Sequence, residues 1–199
     1  PVSVQIKNGA AATLFAVFRT GDELVVVEAD GPRPVSAKLV ELLHTEFNAE
    51  VERGQTYPQD EPYTLDGFRD YWFAKFVSVL VLGTASLADD STPFEDVVLG
   101  SHYIKPNYAG RCSHLCNAGF LVSSRHRGGL GVGKVLGRQY LVWAPLLGYD
   151  GSVFNLVFVT NVASWKIWDD LGFTRAGLIK GAGKLKGHDE PVDAIVFTK

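Results

Sequence analysis

Residues 124–134 read Ser-Arg-His-Arg-Gly-Gly-Leu-Gly-Val-Gly-Lys, and no other stretch of the chain constrains the fold as strongly. An apolar, strand-like run (residues 118–122) leads into it, and residues 134–143 leave it with a helical pattern. A glycine-rich loop therefore joins a strand to a helix N-terminus. The first-turn N–H groups of a helix have no partner within the helix, and its dipole places partial positive charge there. Glycines allow the backbone to approach an anion closely, and Arg125, Arg127 and Lys134 add charge, so the loop is built to take phosphate.

Three phosphate loops fit in part. Gly128 and Gly133-Lys134 have P-loop spacing, but Val135 occupies the place of the magnesium-binding hydroxyl. Gly129-Leu130-Gly131 begins a dinucleotide fingerprint, but Lys134 replaces its third glycine, and Asp150 falls in a turn rather than at a strand end. A plain strand–helix turn is the alternative without a ligand. The third reading is the pyrophosphate loop of the Gcn5-related N-acetyltransferases, Arg/Gln-x-x-Gly-x-Gly/Ala. Gly131-Val132-Gly133 resembles its end, and Arg127 sits one residue early, which implies a one-residue insertion.

Downstream, residues 161–173 (Asn-Val-Ala-Ser-Trp-Lys-Ile-Trp-Asp-Asp-Leu-Gly-Phe) resemble the Asn-x-x-Ala…Gly-Phe signature that follows the fifth strand in that superfamily. Residues 116–120, 143–145, 148–149, 153–157 and 161–164 are similar to a fungal subgroup that includes the yeast proline-analogue (azetidine-2-carboxylate) acetyltransferases. The resemblance implies an α/β fold with a mixed central sheet, its fourth and fifth strands splayed and helices on its faces. It implies acetyl-CoA as coenzyme and a homodimer. It also assigns coenzyme contacts to Phe120 and Val122 on the fourth strand, to Arg127, Gly128, Gly129, Gly131, Gly133 and Lys134 in the loop, and to Asn161, Ser164 and Trp168 in the signature.

The 199 residues amount to one domain, 1–199, opened by a hairpin extension over 1–30. A net charge of −3 argues against a nucleic-acid binder held by bulk charge. No apolar run approaches a membrane span. Two cysteines make no disulfide framework, which points to a reducing compartment, cytoplasmic or nuclear. The absence of Met, even at the first position, implies a processed or trimmed N-terminus.

Residues 13–18 and 23–28 read as strands of a hairpin that turns at 19–22. Gly31-Pro32-Arg33-Pro34 breaks the chain before a helix over 36–52, where Leu39, Leu42, Leu43, Phe47 and Val51 make a core stripe and Glu46 and Glu50 face solvent. Thr64 caps a second helix with Leu65, Phe68, Trp72, Phe73 and Phe76 on its apolar face. Further strands are expected at 77–82, 96–104, 113–122, 152–160, 174–179 and 192–197. Helices are expected from the glycine loop to about 147 and from Asn161 to Gly172.

For the chemistry, Asn155 interrupts an apolar strand and Asn117 lies in the strand expected alongside it. A buried amide left unpaired costs about 1–3 kcal/mol, so each must bond a neighbour or a substrate. They are the candidate catalytic and acceptor-binding residues, with Tyr57 as a candidate lid over the acceptor. The chain departs from the family pattern twice: residues 112–120 hold no carboxylate base, and Trp168 stands seven after Asn161, where many members have a proton-donating Tyr. Catalysis by positioning and carbonyl polarisation is then expected. Cys112, His114 and Cys116 alternate as if on one strand face, but three ligands make an incomplete zinc site, so no metal is expected. The reading is an acetyl-CoA-dependent N-acetyltransferase of a small-molecule amine, an amino acid or proline analogue. Its rivals are a protein lysine or N-terminal acetyltransferase and a silent acyl-CoA-binding regulator.

Overall fold

The computed structural model describes residues 1–199, which form two compact units. The first comprises Pro1–Phe47, Tyr63–Lys105 and Gly119–Leu136; the second comprises Asn48–Pro62, Pro106–Ala118 and Gly137–Lys199.

In the first unit, β1 (Val2–Gln5), β2 (Ala11–Thr20), β3 (Glu23–Glu28), β4 (Gly31–Pro34), β5 (Phe76–Leu82), β6 (Val98–Pro106) and the end of β7 (Leu115–Val122) are ordered β4-β3-β2-β5-β6-β7, with β1 beside β2. The hairpin expected around residues 19–22 forms, with Thr20 opposite Glu23. Every residue of β5 from Phe76 to Val81 is buried, as its unbroken apolar run requires. Helix α1 (Ala37–Arg53) carries its stripe inward, with Leu39, Leu43 and Phe47 buried. Phe47 meets Phe68 and Trp72 of α2 (Leu65–Trp72) at ring-centroid distances of 5.6 and 5.5 Å. Thr64 caps α2 by accepting the Gly67 N–H at 3.1 Å. A single turn, α3 (Phe94–Val97), precedes β6.

In the second unit the order is β7-β8-β10-β9, with β8 (Gly151–Phe158), β9 (Thr174–Gly183) and β10 (Val192–Thr198). β8 runs parallel to β7, and their register covers only Leu115–Gly151 and Cys116–Ser152. The expected splay of these strands begins immediately after those two rungs. Helix α4 (Val132–Leu146), which starts in the first unit, and α5 (Val162–Asp170) complete the unit. Tyr140, Phe154, Trp168 and Phe173 pack together in its core, the Phe154 and Trp168 rings tilted with centroids 4.6 Å apart and the Phe154 and Phe173 rings stacked.

Four local expectations need correction. Phe76, expected on the apolar face of the second helix, instead opens β5, because α2 ends at Trp72. Strand β4 contains Pro32 and Pro34, which the sequence presents as a breaker; it pairs only with β3, at the sheet edge where a missing N–H does no harm. Glu50 is buried rather than solvated, held by Arg53 at 2.8 Å and Thr56 at 3.2 Å. Glu46 is likewise engaged, with Oε2 accepting the Ser124 N–H and Oε1 the Ser124 hydroxyl, both at 2.9 Å.

Candidate active site

The glycine loop occupies the first unit. Gly128, Gly129 and Gly131 take φ of +78°, +77° and +69°, the left-handed region that other residues rarely adopt, and nothing within 4 Å would fill the space beside Gly128 or Gly129. The Gly131 carbonyl accepts the N–H groups of Lys134 and Val135, both at 3.1 Å, so Gly131 acts as the helix N-cap. The N–H groups of Val132 and Gly133 lie ahead of these first helical bonds, as at any helix start. Glu46 fixes the segment before the loop through Ser123 and Ser124.

The cations beside the loop differ in role. Arg125 is committed to Asp96 at 2.6 Å and Glu95 at 3.1 Å. Arg127 is exposed and donates through Nε to the Val122 carbonyl at 3.3 Å, which folds it back over the end of β7. Lys134 lies in the first turn of α4. The loop therefore offers open backbone at a helix start with cations beside it, a setting that suits an anion such as a pyrophosphate. On β7, Phe120 stacks on His102 with centroids 5.4 Å apart. Burial pushes the His102 pKa down to about 3, so its imidazole is neutral.

In the second unit Asn117 and Asn155 are brought together, through a residue the sequence reading missed. Asn107, just past the end of β6, accepts on Oδ1 from Asn117 Nδ2 at 2.9 Å and from Asn155 Nδ2 at 2.6 Å. Its own Nδ2 donates to Asn155 Oδ1 at 3.1 Å. Asn117 Oδ1 accepts the Ala118 N–H at 2.6 Å. All three amides are half-buried. Each has two N–H donors, so one donor on each remains for a ligand or water after these bonds. The result is a neutral polar cluster, two of its members on the strands that part just beyond their last rung. Asn107 lies in Pro106-Asn107-Tyr108, a sequence that signals only a turn; its backbone N–H bond to the Leu115 carbonyl, at 2.8 Å, is the feature that places it.

Nearby in the same unit, Cys116 Sγ lies 3.0 Å from the Tyr140 hydroxyl, which also bonds Ser152. Burial and the neighbouring thiol push the Tyr140 pKa well above the usual phenol range, so Tyr140 is a poor proton donor for chemistry near neutrality. Cys112 lies in a short helical turn, Gly110–Cys112, and is exposed, as is His114; only Cys116 is in the strand and buried, so the three do not converge as ligands.

Asn161 caps α5, its Oδ1 accepting the Ser164 N–H at 3.2 Å. The Ser164 hydroxyl in turn accepts from Trp168 Nε1 at 3.0 Å, while the Trp168 ring is buried against Phe154 and Phe173. Tyr57 lines a cavity of about 300 Å³ with Gln59, Leu156, Phe158, Lys184 and Lys186.

No family model matches the chain. Among solved structures, a GCN5-related N-acetyltransferase from Kribbella flavida is similar at a TM-score of 0.71 and 27% identity, over 84% of this chain and 95% of that one. N-acetyltransferase aca1 of Schizosaccharomyces pombe is 47% identical over 167 residues, which are 80% of this chain and 79% of that protein. The chain belongs to the GCN5-related N-acetyltransferase superfamily. This N-acetyltransferase also shares its fold with the phosphinothricin acetyltransferase of Sinorhizobium meliloti, solved in complex with acetyl-CoA, at a TM-score of 0.68 and 17% identity over 94% of this chain and 87% of that one. No helix of this N-acetyltransferase is long and apolar enough to cross a membrane.

Proposed function

We propose that this N-acetyltransferase acetylates the amine of a small molecule, an amino acid or proline analogue. The observation that carries the reading is the Asn107–Asn117–Asn155 cluster: three linked amides with no carboxylate among them. An amide donates to a carboxylate or carbonyl oxygen and still accepts from an amine or water, whereas an Asp or Glu there would repel an acceptor carboxylate.

The coenzyme is acetyl-CoA. Its pyrophosphate is assigned to the loop from Arg127 to Lys134, where Gly128, Gly129, Gly131 and Gly133 keep the backbone open. Phe120 and Val122 offer backbone groups to the pantetheine arm, and Asn161 and Ser164, held by Trp168, offer polar contacts. When bound, it supplies an acetyl thioester as the acyl donor. Asn117 and Asn155 orient the acceptor, and their spare N–H groups stabilise developing negative charge on a carbonyl oxygen. No Tyr or carboxylate of the cluster takes the amine's proton, so water carries it away. Tyr57 closes over the acceptor. The working form is a homodimer in a reducing compartment, cytoplasmic or nuclear, and sedimentation at micromolar concentration giving only monomer mass would count against the dimer.

A thiol-release screen over amino acids, proline analogues, polyamines and histone peptides tests the reading. Turnover confined to small amino acids supports it. Turnover confined to peptides overturns it in favour of protein acetylation, and coenzyme binding without turnover on any amine overturns it in favour of a regulatory module.

A further inference from the structure

The turn between β1 and β2 brings a lysine against the glycine loop, and both belong to the first unit. Residues 6–9 reverse the chain tightly. The Gly9 N–H donates to the Ile6 carbonyl at 2.9 Å, and the Ile6 N–H donates to the Ala10 carbonyl at 3.1 Å. Asn8 Oδ1 accepts the Ala10 N–H at 3.1 Å, Gly9 takes φ +80°, and buried Ile6 anchors the whole. The second residue of such a turn has an N–H that the turn itself does not use. Here that N–H belongs to Lys7 and donates to the Leu130 carbonyl at 3.1 Å. Lys7 Cβ lies 3.6 Å from the point where a side chain on Gly131 would begin.

The root of Lys7 is therefore pinned to the loop while its side chain stays exposed. Its ammonium is tied to no carboxylate or carbonyl, whereas Arg125 is spent on Asp96 and Glu95. A cation whose backbone is already ordered gives up less freedom on meeting an anion than one on a loose terminus. Lysine carries three donors on a flexible four-carbon stem, which suits it to meet a phosphate as a point charge. That stem starts beside Gly131, the residue that begins α4 and whose φ of +69° keeps the loop open. The coenzyme of this superfamily member, acetyl-CoA, carries a pyrophosphate and a 3′-phosphate, so it brings the matching anions to this end of the helix.

We propose that Lys7 binds a phosphate group of acetyl-CoA and makes the β1–β2 turn part of the coenzyme site. This rests on the assignment of the pyrophosphate to the loop from Arg127 to Lys134. It gives the opening hairpin a task. Strand β1 pairs with β2 from Val2–Leu14 to Gln5–Ala11, and this ladder holds the turn, and with it Lys7, against the loop.

The test is calorimetry on the full chain with CoA and with dephospho-CoA, which lacks the 3′-phosphate. Lys7→Gln is expected to weaken CoA binding about threefold to tenfold at low salt, the scale of one exposed charge contact to a phosphate. The loss should shrink as salt rises, the melting temperature without ligand should stay unchanged, and Lys7→Arg should keep most of the affinity. Dephospho-CoA then identifies the phosphate: an equal loss in Lys7→Gln assigns Lys7 to the pyrophosphate, and no loss assigns it to the 3′-phosphate. Wild-type CoA affinity in Lys7→Gln at low salt overturns the proposal, as does a loss of the same size at high salt. Gly131→Val keeps this result apart from the loop assignment. If folded Gly131→Val binds CoA normally, the loop assignment falls and the Lys7 contact with it. If Gly131→Val loses affinity while Lys7→Gln does not, only the Lys7 contact falls.

Discussion

Asn107 and Asn155 exchange hydrogen bonds in both directions, Asn155 Nδ2 donating at 2.6 Å and Asn107 Nδ2 returning a bond at 3.1 Å. A pair closed in this way stabilises the fold, yet each amide retains a donor that the pair does not use. Turnover and stability therefore respond separately to its loss. Asn155→Ala is expected to lower acetyl transfer tenfold to a thousandfold, on the order of a lost polar contact to the transition state, with coenzyme affinity little changed. Near-normal turnover per folded molecule, with only a lower melting temperature, would reduce the cluster to a structural role.

Asn107 accepts from both other amides, so Asn107→Ala leaves two donors without their acceptor. It is expected to impair turnover at least as much as Asn117→Ala and to cost about 1–3 kcal/mol of stability. Denaturant midpoints and initial rates on both variants check the order; a wild-type rate for Asn107→Ala would remove it from the site.

At Gly131 the backbone takes φ +69°, and its carbonyl begins α4. Gly131→Val strains that conformation and places a branched side chain where an anion would approach. Coenzyme affinity is expected to fall by at least tenfold in a folded variant. Calorimetry showing wild-type affinity would sink the pyrophosphate assignment.

His102 is buried, and its pKa is pushed down to about 3 by desolvation, against 6.5 when unfolded. Between those values the unfolded chain binds a proton that the folded chain does not, so stability must fall as pH drops below about 6.5. The slope from this residue approaches but does not exceed about 1.4 kcal/mol per pH unit. Urea midpoints at pH 7, 6 and 5 should decline in the native protein and flatten in His102→Phe. An identical decline in both would assign the effect to other groups.

Much of this architecture was legible in the sequence because it rests on local periodicity. The β5 run is apolar throughout, the α1 stripe recurs at helical spacing, and Thr64 and Asn161 cap the helices that follow them. That the strands of Asn117 and Asn155 are neighbours was expected from the resemblance to the acetyltransferase superfamily, with its fourth and fifth strands side by side, rather than from local pattern. What stayed hidden depends on contacts distant in sequence. Asn107 joins a residue 48 positions away, and in a Pro-Asn-Tyr turn nothing distinguishes that Asn from a solvent-facing one. Glu50 looked solvated because its stripe position is polar; Arg53 and Thr56 supply the partners that make its burial tolerable. Strand β4 was invisible because edge position, not propensity, lets two prolines pair.

Only two rungs join β7 to β8, at Leu115–Gly151 and Cys116–Ser152. A ladder that short contributes little cohesion of its own, so a ligand taken up by native molecules alone weighs heavily in the balance between folded and unfolded chain. At a coenzyme concentration one hundred times Kd, mass action adds about 2.7 kcal/mol to the unfolding free energy. Survival of this protein in a cell should then track acetyl-CoA supply, with starved cells holding a pool more open to proteolysis than fed ones. A melting temperature that does not rise across a coenzyme titration would break that link between abundance and metabolic state.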